Sequence, residues 1–254
     1  MRKITFHVEK GGTGKTTMAG SVGYALRRHG RVLLIDADPQ GNLTSWYLSG
    51  GALRLELSDV MQGRCDLAEA IQPVRENLDL LGTFAIGGDL KEWSETQLAG
   101  KPFAFERLSE QLTDLSYDFV IFDLGPGISI LEKSILAFID EVVPVVAAEY
   151  FSADGVEIFE HELEQLRVDR KAQFVADRMV VNRVNDSYVL HKAYREILAG
   201  RRYKVFTIHQ STGISDCVPE HSTVFEYDPN NRNLAVLAGL AGELAGGNHG
   251  STQN

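Results

Sequence analysis

A chain of 254 residues with 44% apolar side chains can bury one substantial core, and it reads as a single α/β domain over 1–245 with a short polar, disordered tail at 246–254. Its formal net charge of −10 excludes attraction to nucleic acid by bulk charge, so any such binding needs a local basic patch. Cys65 and Cys217 lie far apart in no C-x-x-C pair, and neither a leader nor a long apolar run is visible; this argues against a disulfide framework, a zinc site and a membrane span, and for a cytoplasmic protein.

The run Ile4-Thr5-Phe6-His7-Val8 reads as a strand, and 18–29 reads as a helix stopped by Gly30. Between them lies Glu9-Lys10-Gly11-Gly12-Thr13-Gly14-Lys15-Thr16-Thr17. Strand, glycine-rich turn and helix form the context of a phosphate-binding loop. The glycines allow a tight bend with successive N–H groups pointing at an anion, and the helix adds its positive end. Lys15 is placed to meet the β- and γ-phosphates of a bound nucleotide, and the Thr16 hydroxyl is a hard oxygen suited to Mg²⁺. Glu9 stands where the general pattern has its first glycine, and Lys10 adds a second lysine.

Residues 31–36 form a continuous apolar strand, the mark of a parallel sheet covered on both faces, which gives a three-layer α/β fold. It ends in Asp36-Ala37-Asp38-Pro39-Gln40-Gly41-Asn42, at the strand end where open α/β sheets place ligands. Short helices are expected at 57–61 and 67–71 and a strand at 77–82. Residues 84–100, with Trp93 as their one large anchor, read as a surface excursion or part of a dimer face. A helix over 103–115 leads into the strand 117–123, whose terminal Asp123 suits a Mg²⁺-bound water or a turn cap. Residues 141–148 form another strand, with Pro144 suggesting an edge or an irregularity. Residues 149–152 should line the cleft and a helix should run from there to about 168. Strands at 178–183 and 205–208 and an apolar helix at 233–244 complete the pattern.

Lys10-Gly11-Gly12-Thr13-Gly14-Lys15-Thr16-Thr17 resembles the deviant Walker A loop of the ParA/MinD ATPase superfamily, and Asp36-Ala37-Asp38-Pro39-Gln40 resembles its second signature. The resemblance implies a P-loop fold with a mostly parallel twisted sheet and helices on both faces. It implies that Lys10 reaches the partner's phosphates in an ATP-sandwich homodimer, that Asp36 orients the attacking water while Asp38 shapes its loop, and that Asn182 bonds the adenine edge. Nucleotide contacts are then Lys10, Gly11, Gly12, Thr13, Gly14, Lys15, Thr16, Thr17 and Asn182; Lys10, Lys15 and Asp36 are catalytic; Thr16 and Asp123, the latter through water, hold Mg²⁺. Leu124-Gly125-Pro126-Gly127 departs from the family's acidic-x-Pro-Pro turn, and His209 replaces a usual proline.

Residues 167–204 carry ten Lys/Arg against four Asp/Glu. This is either a solvated face or a phosphate track. ParA-like proteins bind DNA without sequence preference through basic residues of this half, which makes Arg195, Arg201, Arg202 and Lys204 the candidates. The family further implies a ParB-like adaptor that stimulates hydrolysis, location on the nucleoid, and segregation of plasmid or chromosomal DNA. A MinD-like membrane role needs basic residues on a terminal amphipathic helix, and 234–254 has none. A cluster carrier needs cysteines that Cys65 and Cys217 do not supply. A slow-cycling nucleotide-dependent scaffold is the remaining alternative, separable by ATP turnover.

Overall fold

The structure, a computed structural model, describes residues 1–8, 10–49, 52–101, 103–148, 153–170, 172–187 and 203–246. β1 (Arg2–His7) leads through the glycine-rich loop into α1 (Lys15–Leu26), then β2 (Val32–Ala37) and α2 (Asn42–Tyr47). Next come α3 (Leu57–Gln62), α4 (Leu67–Ala70), β3 (Ile71–Arg75), β4 (Leu78–Leu81), α5 (Leu90–Thr96), α6 (Ala104–Thr113) and β5 (Phe119–Leu124). The second half adds α7 (Ile130–Leu136), β6 (Glu141–Ala147), α8 (Ala153–Arg170), β7 (Arg178–Val184) and β8 (Lys204–His209). It closes with α9 (Thr212–Asp216), α10 (Val224–Tyr227) and α11 (Leu234–Gly246).

The strands form one sheet in the order β3-β4-β2-β5-β1-β6-β7-β8, parallel except for the β3–β4 pair. The period of two sorts each strand between two apolar layers. Val32 and Leu34 join Met18, Val22, Leu237 and Leu240 beneath α1 and α11. Leu33 and Ile35 join Leu108, Ile135 and Phe159 beneath α6, α7 and α8. The three-layer architecture expected from the strand composition is the one observed.

Several local expectations shift. Ile71 opens β3 instead of closing a helix, and β3, an antiparallel edge strand containing Pro73, had no signal of its own. Asn77, at φ 57°, makes the hairpin turn. Pro144 lies in an interior strand, not at an edge. Its missing N–H falls where pairing with β1 ends, at His7↔Pro144, and pairing with β7 begins, at Val145↔Val180. Trp93 is buried with Leu90 and Leu98, edge-on to Phe105, so 90–98 is core packing and not a surface excursion. Gly246 ends α11, while 247–254 and 149–152 lie outside the described residues.

Candidate nucleotide-binding site

β1 is an interior strand of the sheet, and the loop after it leads into α1. Gly12 and Gly14 take φ of 74° and 102°, a region that side chains rarely enter. A Cβ on Gly14 would also collide with the Asn182 amide. Gly14 is the N-cap of α1 and offers no side-chain cap, which leaves the first-turn N–H groups available to an anion. Lys15 is buried, and its Nζ donates to the Lys10 carbonyl at 3.0 Å. Burial lowers its pKa, and the carboxylates of Asp123, Asp38 and Glu132 oppose that. Lys10 itself stands at the exposed rim. A cleft of about 660 Å³ opens in front of the loop, lined by Gly11 to Thr17 except Thr13, and by Asp38, Trp46 and Arg183 among others.

Two carboxylates come from the neighbouring strands. Asp36 of β2 and Asp123 of β5 are register partners, on the sheet face marked by Leu34 and Ile121, which is the face of α1. Both Asp123 oxygens are buried with no hydrogen-bond partner among the described residues. Burial and then the charge of Asp36 push its pKa well above the usual carboxylate range, and the nearby Thr16 hydroxyl, short of hydrogen-bond geometry, counters part of this. An orphaned buried carboxylate beside a threonine hydroxyl is a hard-oxygen donor pair, and it fits Mg²⁺.

Asp36 is not placed where the sequence reading put it. Its carboxylate is wholly buried and committed: Oδ2 accepts from Thr44 N at 2.7 Å and Thr44 Oγ1 at 2.6 Å, and Oδ1 accepts from Asp38 N at 3.3 Å. Burial pushes it up to about 7 even against these donors. β5 stands between β2 and β1, so Asp36 is one strand spacing, about 5 Å, further from the loop than Asp123. Asp38 is the first residue past β2, released from strand pairing, and it lines the cleft and acts on Lys15. Thr44, which the sequence reading did not single out, also receives the Thr83 amide at 2.9 Å, and Thr83 Oγ1 donates to the Asp36 carbonyl at 2.6 Å.

Asn182, expected at the adenine edge, lies against the loop: its Nδ2 donates to the Thr13 carbonyl at 2.8 Å, its Oδ1 accepts from Arg183 N at 2.9 Å, and it lines a second cavity of about 250 Å³ beside the first. Arg183, missed in sequence, lines both cavities and sits at φ 56° where the β7–β8 register shifts. Such a non-glycine outlier at a cleft carries backbone strain. Of the proposed DNA contacts, Arg195, Arg201 and Arg202 lie outside the described residues. Lys204 pairs with Glu243, and Arg178 with the buried Glu141 at 2.7 Å, so part of the local charge excess is answered from elsewhere in the chain.

A family model described as an AAA domain matches residues 1–175. The sporulation initiation inhibitor protein Soj of Bacillus subtilis is 29% identical over 253 residues, covering 93% of this chain and 95% of that protein. The chromosome partitioning protein ParA of Caulobacter vibrioides is 31% identical over 173 residues, covering 66% of this chain and 64% of that one. The chain belongs to the ParA family. Its fold also matches the septum site-determining protein MinD of Pyrococcus horikoshii, solved with Mg-ADP, at a TM-score of 0.79 and 21% identity over 96% of this chain and 95% of that one. ParA-family proteins are P-loop ATPases, and in this chain the glycine-rich loop joins β1 to α1 with Thr16 near Asp123.

Proposed function

We propose that this ParA-family chain hydrolyses ATP slowly as a nucleotide-bridged homodimer, binds DNA without sequence preference in that state, and moves plasmid or chromosomal DNA under stimulation by a ParB-like adaptor. The observation that carries the ATPase part is a capless helix N-terminus and buried Lys15 on one cleft, with the orphaned Asp123 carboxylate close enough to act on Lys15. Backbone N–H groups of 11–16 cradle the phosphates, and Lys15 answers charge on the leaving and transferring oxygens. Thr16 and Asp123 hold Mg²⁺, which when bound neutralises phosphate charge. We assign the orientation of the attacking water to Asp38 in place of Asp36, because Asp38 alone of the two faces the cleft. Lys10, at the rim, is assigned the phosphates of the partner subunit. Asn182 and Arg183 are assigned the base and its neighbourhood.

The dimer makes weak basic contacts useful, since two patches bind together only while ATP holds them. The DNA assignment rests on Arg195, Arg201 and Arg202, with Lys204 secondary because Glu243 already engages it. The family resemblance supports both assignments. Among the described residues no helix is long and apolar enough to cross a membrane. The test is ATP turnover and light-scattering mass for wild type and Lys15→Ala, with and without DNA. Wild type should double in mass with ATP and turn over slowly, while the variant should lose ATP binding. Tight ATP binding by Lys15→Ala contradicts the phosphate-loop assignment.

A further inference from the structure

One wall of the cleft has no part in the scheme above. It is the turn 217–222, whose Val218, Pro219 and His221 line the cleft together with Ser45 and Trp46 of α2. The turn closes on itself: His221 N donates to the Val218 carbonyl at 3.1 Å, and Ser222 N to the Cys217 carbonyl at 3.1 Å. His221 sits at φ 49°, in the left-handed region where a side chain other than glycine carries strain.

Such a conformation persists only where its surroundings hold it. Here they hold it at three points. Arg75, paired with Glu226 of α10 at 2.8 Å, donates from Nη2 to the His221 carbonyl at 2.8 Å. The Trp46 indole donates to the Ser222 carbonyl at 2.7 Å. The His221 ring in turn meets the Trp46 carbonyl through Nδ1 at 3.1 Å. A carbonyl oxygen can only accept, so Nδ1 carries the hydrogen, and in the neutral ring Nε2 carries the lone pair. The ring is exposed, and no hydrogen bond reaches Nε2 among the described residues. Backbone and tautomer are thus fixed, and the ring nitrogen left over is an acceptor on a cleft-lining residue.

The phosphate cleft and the smaller cavity beside it share Gly14, Thr17, Arg183 and Val218. With the phosphates on the loop and the base in the smaller cavity, the sugar that joins them has to cross this boundary. Val218 lies on it, and His221, bonded to Val218 within the turn, lines only the phosphate side. A sugar hydroxyl is a donor, and Nε2 is an acceptor. We propose that His221 is a specificity-determining residue: its Nε2 accepts a hydrogen bond from a ribose hydroxyl of the bound nucleotide, so the site takes ribonucleotides in preference to their deoxy forms. This rests on the nucleotide-site reading above and deepens it. Arg75 and the Trp46 carbonyl position the residue for that contact.

The experiment measures the affinities of ATP, 2′-deoxy-ATP and 3′-deoxy-ATP by calorimetry for wild type, His221→Gly and His221→Gln. Glycine removes the ring and relieves the left-handed backbone, so the fold is kept; glutamine keeps an acceptor at similar reach. Wild type should bind ATP roughly three- to tenfold more tightly than at least one deoxy form, the value of one hydrogen bond, and the form that loses affinity names the hydroxyl. In His221→Gly the ATP affinity should fall to that of this deoxy form, whose own affinity should stay within about twofold of wild type. His221→Gln should recover part of the preference. A merely structural role would weaken all three nucleotides equally in His221→Gly, and that result overturns the proposal. So does a wild type that binds all three alike, or a preference that survives in His221→Gly. A wild-type chain that binds the three nucleotides but never hydrolyses ATP overturns the ATPase reading instead, and the sugar preference still decides His221. A chain that binds none of them overturns both.

Discussion

Replacing Thr44 by valine removes one hydroxyl from a network that binds α2, β2 and the start of the 83–89 loop, and leaves volume unchanged. Two hydrogen bonds go with it. The first runs from Thr44 Oγ1 to the buried Asp36 carboxylate at 2.6 Å, and bonds to a charged group contribute about 1.5–3 kcal/mol. The second runs from Thr83 N to Thr44 Oγ1 at 2.9 Å, and stranding that buried amide costs about 1–3 kcal/mol. Thr44 and Thr83 are both buried, so water does not substitute for the lost partner. The expected loss is therefore about 3–5 kcal/mol at pH 8.5, a fall in melting temperature of roughly 10 °C for a domain of this size.

The loss has a pH signature. Asp36 has a folded pKa raised to about 7 from an ordinary 3.8, so the stability it contributes is fully present below pH 4 and is lost as pH rises through 7. The Thr44 hydroxyl favours the charged form, so its removal raises that pKa further and costs most above pH 7. At pH 5.5 Asp36 is protonated in both proteins and the deficit should shrink by about 1 kcal/mol. Urea unfolding at pH 5.5 and 8.5 measures this directly, with Thr44→Ser, which keeps the hydroxyl, losing no more than about 1 kcal/mol. A deficit for Thr44→Val below 0.5 kcal/mol (on the order of surface substitutions), or one that grows toward acid pH, refutes the account of how Asp36 is held.

The remaining expectations separate the site from its scaffold. Asp38→Asn should lower ATP turnover by about 10²–10⁴-fold with ATP affinity nearly unchanged, whereas Asp36→Asn should stay within about tenfold of wild type; the opposite ranking in single-turnover kinetics would restore Asp36 to the water. Trp93→Ala should destabilise by about 3–5 kcal/mol in urea unfolding because its indole is fully buried, and a change under 1 kcal/mol would return 84–100 to the surface. Combined replacement of Arg195, Arg201 and Arg202 by glutamine should weaken DNA binding with ATP and flatten its salt dependence by about three phosphate contacts per subunit; an unchanged slope moves the DNA contact elsewhere.

What the amino-acid order alone determined is local or periodic. The phosphate loop was legible because its geometry depends on consecutive residues: Gly12, Gly14 and Lys15 do their work within one turn of chain. The parallel sheet was legible because Val32–Ala37, Phe119–Leu124 and Glu141–Ala147 are apolar on both faces, and Asp123 because it ends such a strand. Tertiary structure decided whatever depends on which elements become neighbours. Asp36 and Asp38 look interchangeable in sequence, yet Asp36 lies within β2 and gives its carboxylate to Thr44, whereas Asp38, the first residue past the strand, lines the cleft. Charge counted along 167–204 does not show that Glu141 and Glu243 return to pair with Arg178 and Lys204. The contact of His7 with Phe159 likewise exists only once β1 and α8 have packed. Side-chain chemistry is carried by the chain itself, whereas burial, pairing and distance across the sheet are properties of the folded neighbourhood.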